Sequence, residues 1–328
     1  MKTYILVDFM NMAHRAKNVT FNSDLDTQIG NSMQIIFNSI KKVNNLFGAD
    51  HAVVCTEGSS WRKKYDPKYK QNRVMKQISK PIEEQEDDKI FMEAMNDLES
   101  FIAEKTNITV LNNRYAEADD MIAFFIQCHP EDRHYIISGD TDYIQLLTDK
   151  VFMYNGVSEE LLTVDGYFKI NGKQAKDSKG NIKVMPDPKY ALFEKCIRGD
   201  SSDNVFTAYP RVRTKGTKNK VGIMEAFADM ENKGYDWNNF MQTKYTDHEG
   251  EEQLVLERYE ANRLLIDLTM QPEYVKEACL LSMADALASE RVSGVGINFL
   301  KFCNTWNLVN LAKFPDEIAN ILNKSYVL

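Results

Sequence analysis

The 328-residue sequence predicts an α/β fold: a parallel β-sheet flanked by helices, followed by a mainly helical C-terminal region. Three observations lead there. Short β-branched apolar runs alternate with amphipathic helical patterns in the first half, acids follow four successive runs, and the strand signal fades beyond about Pro186.

Residues 4–7, 52–55, 108–111, 135–137 and 151–154 are each short enough for one strand. Between them, residues 29–47 place Ile29, Met33, Ile36, Phe37 and Ile40 at helical spacing, and residues 90–102 repeat the pattern with Phe91, Ala94, Met95, Leu98 and Ile102. Alternation of this kind calls for right-handed βαβ crossovers and a sheet covered on both faces. Residues 171–188 are polar and contain Gly172, Gly180, Pro186 and Pro188, so they read as a long loop or hinge. Beyond it, residues 190–197, 221–230, 252–268 and 299–310 read as helices. The expected division is into domains 1–185 and 186–328.

With 43% hydrophobic residues the chain can bury a substantial core. No apolar stretch approaches the ~18 residues of a membrane span, and the run 3–7 ends at Asp8, too short for a signal-peptide core, so a cytoplasmic location is expected. Cys55, Cys128, Cys196, Cys279 and Cys303 are too scattered for a zinc site or a disulfide scaffold. His14, His51, His129, His134 and His248 show no ligand spacing and are expected mostly at the surface or at helix ends. Glu249, Glu251, Glu252 and Glu257 read as an exposed acidic helix face.

A net charge of −8 argues against simple electrostatic coating of nucleic acid, but the charge is unevenly distributed. From Arg62 to Lys80 the basic residues are Arg62, Lys63, Lys64, Lys68, Lys70, Arg73, Lys76 and Lys80, opposed only by Asp66, with Trp61, Tyr65 and Tyr69 interleaved. Arg211, Arg213, Lys215, Lys218 and Lys220 follow one another with no acid between. These are two candidate phosphate-contacting surfaces.

In an open parallel sheet, ligands bind beyond the carboxyl ends of the strands. Asp8 directly follows the first run, Glu57 the second, Glu117, Asp119 and Asp120 the third, and Asp140 and Asp142 the fourth. A helix starting near Glu117 would put Glu117 and Asp120 on one face and turn Asp119 aside. Two like charges ~4 Å apart repel by about 4 kcal/mol at an effective dielectric near 20, so such a nest needs protons or cations. All-oxygen ligation suits Mg²⁺ or Mn²⁺, and two such ions can activate water and stabilise a leaving oxygen in phosphodiester hydrolysis. The competing reading makes these acids helix N-caps. Asp200 and Asp203 in the helical half form a further pair, although a helix-end turn would contain the same residues.

Asp8-Phe-Met-Asn11, Glu117-Ala-Asp-Asp120, Ser138-Gly-Asp-Thr-Asp142 and Gly199-Asp-Ser-Ser-Asp-Asn204, in this order, resemble the 5′-nuclease (flap endonuclease) family, within it the RNase H branch of T-even-type bacteriophages. The resemblance implies a PIN-like domain with a helical arch, then a helix-three-turn-helix element that grips duplex DNA. It places Asp8, Glu117, Asp119 and Asp140 around a first metal ion, Mg²⁺ with Mn²⁺ as substitute, and Asp142, Asp200 and Asp203 around a second, with Asp120 in support. Tyr69-Lys70-Gln-Asn-Arg73 matches the family's arch pattern, so Lys70 and Arg73 would meet the scissile phosphate and Tyr69 would stack on a base; Arg62 and Lys63 lie at the same entrance. Two positions depart from the family. Glu57 stands where an aspartate is usual in the metal shell, and residues 205–215 lack the glycine-rich turn, so Arg211, Arg213, Lys215 and Lys220 would replace its backbone contacts with side-chain contacts.

The function so implied is 5′→3′ exonuclease and flap cleavage of DNA or RNA/DNA duplexes by a monomer, removing RNA primers during phage replication, with a sliding clamp and a single-strand DNA-binding protein as candidate partners. The alternative is a catalytically silent nucleic-acid-binding module of the same fold. A haloacid-dehalogenase phosphatase would need an aspartate at Met10, and no G-x-G-x-x-G follows the first strand, which excludes a dinucleotide enzyme.

Overall fold

The computed structural model describes residues 1–247 and 250–326; His248 and Glu249 of the sequence reading lie outside the described residues. The strands are β1 (Thr3–Asp8), β2 (His51–Cys55), β3 (Thr109–Leu111), β4 (Arg133–Ile137), β5 (Val151–Asn155), β6 (Glu160–Thr163), β7 (Gly166–Lys169), β8 (Lys244–Thr246) and β9 (Glu252–Leu254). The helices are α1 (Phe9–Val19), α2 (Leu25–Phe47), α3 (Gln71–Ile78), α4 (Ile82–Lys105), α5 (Ala118–Cys128), α6 (Pro188–Arg198), α7 (Ile223–Ala228), α8 (Tyr235–Met241), α9 (Val255–Ile266), α10 (Glu273–Ala288), α11 (Val295–Thr305), α12 (Val309–Ala312) and α13 (Pro315–Leu322). Among the described residues, no helix is long and apolar enough to cross a membrane.

The chain forms two compact units, residues 1–60, 80–185 and 272–328 in the first, residues 61–79 and 186–271 in the second. They differ from the consecutive division at 185/186. The reason is packing: Phe299 and Phe302 of α11 bury against Phe37 and Phe101, with ring centroids 5.2 Å and 4.2 Å apart, which returns the C-terminal helices to the first unit. Residues 61–79 join the second unit because Tyr69 is part of its core.

The first unit is built on a seven-stranded sheet of order β3-β2-β1-β4-β5-β6-β7. β3 to β5 run parallel, as the alternation of strand and helix requires, and β6 and β7 add an antiparallel edge. Strand periodicity divides β1 between two cores. Ile5 and Val7 join α2 and α4 in the main cluster, while Tyr4 meets Phe125 of α5 edge to face at 5.1 Å. The second unit packs α6 to α9 around Phe193, Ile197, Trp237 and Phe240.

Several expectations are corrected. Residues 252–254 form β9, paired with β8 and tied across the strands by Lys244 to Glu252 at 2.7 Å, so the helix begins only at Val255. Residues 299–310 are not one helix: α11 ends at Thr305, and Asn307, at φ 51°, turns the chain before α12. The segment 171–188 is partly ordered by backbone pairing of Lys176 with Ile182.

His51 in β2 and His134 in β4 are buried in strands rather than at the surface or at helix ends, whereas His129 stands, as expected, at a helix end, the C-cap of α5, and is buried there. His51 lies between the Lys324 carbonyl at 2.9 Å and the Thr109 hydroxyl at 2.8 Å, and His129 between the Phe125 carbonyl at 2.9 Å and the Tyr326 hydroxyl at 3.0 Å. His134 stacks on Tyr4 at 5.8 Å. Burial pushes His51 and His134 down to about 4, so their stabilising neutral forms are fully present above the ordinary value of 6.5 and are lost as the pH falls through about 4. Each contributes up to about 3 kcal/mol on this account. His134→Phe keeps a ring against Tyr4 but removes the protonation site. Its acid-unfolding midpoint, followed by circular dichroism, should move to lower pH; an unmoved midpoint would refute the assignment.

Candidate functional site

The parallel strands of the first unit end at one edge, and β1 lies between β2 and β4, where the strand order reverses. That is the crevice in which open α/β sheets bind ligands. β1 delivers Asp8 there at the N-cap position of α1, with φ −79° and ψ 91°, yet the side chain makes no cap hydrogen bond. Its Oδ2 accepts instead from the Ser138 hydroxyl at 2.9 Å and the Tyr143 hydroxyl at 3.1 Å. Asp8 therefore does not cap its helix. Since both donors address Oδ2, Oδ1 is the oxygen left to a cation.

Asp140 does have a capping role, accepting the Asp142 N–H at 3.0 Å at the start of the short helix Thr141–Leu146. Its own N–H donates to Ser138 Oγ at 3.0 Å, so one hydroxyl links Asp8 and Asp140. At Gly139 between them, a Cβ would lie 2.4 Å from Nε of Arg15, so any side chain there would displace the Arg15 guanidinium. Its N–H donates to Asn11 Oδ1 at 3.0 Å. Asp142 is half-buried on the same turn.

Asp120 is fully buried and its Oδ2 accepts the Glu117 N–H at 3.1 Å, closing the first turn of α5. The Ser60 hydroxyl donates to Glu117 Oε2 at 2.6 Å. The expectation that Asp119 turns aside is corrected, because one carboxylate oxygen from each of Glu117, Asp119 and Asp120 lies within 4.8 Å of the others. Glu117 sits outside the helix in extended conformation, with φ −80° and ψ 166°, so helical spacing does not govern its side chain. Glu57 is exposed, and its Oε2 accepts the Ala118 N–H at 3.5 Å. Its loop is seated by the Gly58 N–H on the Ala116 carbonyl at 3.0 Å, where a Cβ on Gly58 would lie 1.9 Å from the Asn113 carbonyl oxygen.

Burial first, then the charges of Glu57 and Asp140, against the lowering by Ser138 and Tyr143, push the Asp8 carboxyl up to about 7. The Tyr143 phenol is held well above its ordinary value by burial and then by Asp8, Asp119 and Asp140, which share its surroundings. Both hydrogen-bond donors to Asp8 are neutral hydroxyls. A hard divalent cation fits this all-oxygen set and reverses the electrostatic penalty on Asp8. Tyr143 was missed in the sequence; its signal is an aromatic residue with a hydroxyl directly after Asp142, and only the fold turns it towards Asp8.

In the second unit the acids already have cations. Burial alone would raise Asp200, but the Lys195 ammonium at 2.7 Å, with the Ser202 hydroxyl and N–H, holds it at about 2. Asp203 is buried and accepts from the Tyr69 hydroxyl at 2.9 Å and from Arg73, with the Lys70 ammonium at 3.8 Å. Lys70 adopts φ 55° and its N–H donates to the Asp203 carbonyl at 2.8 Å. Two predicted nucleic-acid contacts are corrected. Tyr69 is 2% exposed, its ring in the core, so it cannot stack on a base. Arg62 is fully buried, and its Nε donates to the Leu265 carbonyl at 2.8 Å. Lys63, Arg73, Arg211, Arg213, Lys215 and Lys220 are exposed.

Residues 3–173, more than half of the chain, match the family model described as 5′-3′ exonuclease, N-terminal resolvase-like domain. The flap endonuclease of Escherichia phage T5 is 28% identical over 231 residues, 70% of this chain and 72% of the relative. The 5′-3′ exonuclease of Aquifex aeolicus is 26% identical over 126 residues, 38% of each chain. Among solved structures, the T5 D15 protein co-crystallised with metal ions superposes with a TM-score of 0.55 at 20% identity, covering 97% of this chain and 100% of that one. A T5 D15 flap endonuclease pseudo-enzyme–product complex with DNA and metal ions gives 0.56 at 21% identity over the same shares. The fold and its carboxylate-lined edge are those of a nuclease that hydrolyses phosphodiester bonds. The chain belongs to the 5′-3′ exonuclease family.

Two outcomes test this site. Asp8 has its folded value above its ordinary 3.8, so the stability it contributes to metal-free protein is full below that value and lost as pH rises through about 7. The melting temperature in chelator should fall from pH 5 to pH 8, and Asp8→Asn should flatten that slope; an equally steep slope in the variant would rule the assignment out. Tyr143→Phe removes one donor to Asp8 and should raise the Mg²⁺ concentration for half-maximal thermal stabilisation about tenfold or more, while duplex affinity in chelator stays unchanged.

Proposed function

We propose that the protein is a Mg²⁺-dependent 5′→3′ exonuclease and flap endonuclease that removes RNA primers and adjoining DNA from lagging-strand fragments during phage DNA replication. The observation that carries this reading is Asp8, a buried carboxylate among other acids, held by two neutral hydroxyls at the carboxyl edge of a family fold. Asp8, Glu117, Asp119 and Asp140 would hold the first ion, Glu57 bordering it and Asp120 supporting it through the α5 turn. Asp142, Asp200 and Asp203 are assigned to the second on the residue-by-residue family match. When bound, such ions supply charge neutralisation and activate water for phosphodiester hydrolysis.

The protein's own groups have distinct tasks. Ser138 and Tyr143 orient Asp8. Lys70 and Arg73 would stabilise negative charge on the phosphate undergoing attack. Both are drawn to Asp203 in this structure, so an incoming phosphate must compete with that carboxylate for them. Lys63, Arg211, Arg213, Lys215 and Lys220 offer exposed charge to the duplex backbone and bring salt-dependent affinity.

The test is product mapping on RNA-primed, nicked and flapped duplexes with Mg²⁺. Asp140→Asn should lose at least about a hundredfold in cleavage while duplex binding survives, since a ligand to a catalytic ion is worth several kcal/mol in the transition state. Undiminished turnover would refute the proposed centre. Cleavage of DNA flaps without attack on RNA-primed ends would remove the primer role alone.

A further inference from the structure

Within the second unit, a cleft of about 1040 Å³ opens among residues 65–68, residues 206–211, the β8–β9 hairpin and α9. Its walls include Tyr65, 54% exposed, Phe206, 40% exposed, and Tyr245, whose hydroxyl donates to the Thr207 carbonyl at 3.3 Å and so fixes the ring in the wall. Tyr65 meets Trp61 edge to face at 5.6 Å, and partly exposed aromatic residues in a cleft can serve as stacking platforms. Arg211 and Arg258 line the same cleft and bring two guanidinium groups to it. The lining acids are engaged locally, Asp66 by the Lys68 N–H at 2.8 Å and Asp247 by the Glu251 N–H at 3.0 Å and the Gln253 amide at 2.9 Å.

Arg211 also lines a neighbouring cleft of about 480 Å³ whose charged residues are Arg211, Arg213 and Lys220. A phosphate track of cations and an aromatic cleft thus share one residue. Arg211 holds φ 58°, a backbone conformation that side chains disfavour and that persists where the surroundings impose it, often at ligand clamps.

We infer that the aromatic cleft receives an unpaired nucleotide where the duplex ends, its phosphate at Arg211 and its base against Tyr65 and Phe206. This rests on the proposed action on nucleic acid and adds a site for the single-stranded part of the substrate. A nucleotide falls within the size that such a cleft accommodates. The chemistry recognised is a base face next to a phosphate, without sequence preference.

The experiment uses the full chain in chelator with two probes: a blunt duplex, and the same duplex with a short single-stranded extension, in either polarity, carrying 2-aminopurine at the junction. Binding should quench 2-aminopurine in one polarity. Phe206→Ala and Tyr65→Ala should abolish the quench and weaken the extended duplex about tenfold, with blunt-duplex affinity unchanged. Phe206→Tyr should retain the quench, which separates stacking from misfolding. Blunt-duplex binding without a quench in either polarity, or equal losses on both probes, overturns this inference alone. Failure to bind either duplex overturns the nucleic-acid reading as well.

Discussion

A carboxylate at the end of a central, fully buried strand is the constraint on which the rest of the site depends. β1 can occupy the middle of the sheet only if its apolar residues are covered on both faces, and that same coverage removes Asp8 from water. The burial that makes the sheet stable makes the acid costly to ionise. Nearby Glu57 and Asp140 act in the same direction as burial. The structure answers with neutral donors, Ser138 and Tyr143, which order the carboxylate without cancelling its charge.

The two units treat their acids differently. In the second, Lys195 neutralises Asp200, and Lys70 and Arg73 meet Asp203, so in this structure those aspartates hold side-chain cations. In the first, hydroxyls and backbone N–H groups surround the carboxylates, an arrangement that favours an added ion. The distinction lies in partner chemistry, since both sets look alike as acidic motifs.

The sheet was legible because strand and helix periods differ so clearly: the five parallel strands, α2 and α4 all lie where the apolar spacing puts them. The acids at the strand ends were legible for the same reason, since a parallel sheet sends every such junction to one edge. What was not legible depends on partners distant in sequence. Tyr69 and Arg62 carry residue types of a nucleic-acid surface, yet Asp203 and the Leu265 carbonyl draw them inward. Nothing in residues 252–254 announces a strand, because β9 depends on pairing with β8. The return of α10 to α13 to the first unit likewise follows from rings such as Phe37 and Phe101 far upstream. Asp119 escaped a helical-wheel argument because Glu117 precedes the regular helix.

The tight seat of Gly58 has a consequence for the residue before it. With backbone atoms of Asn113 and Ala116 pressed against that glycine, the loop after β2 has little freedom to advance or retreat when its acid changes length. Exchanging aspartate for glutamate at position 57 therefore alters how far the carboxylate extends from a stationary support. Side-chain length at this position can thus tune the field felt by Asp8 without remodelling the main chain that carries it.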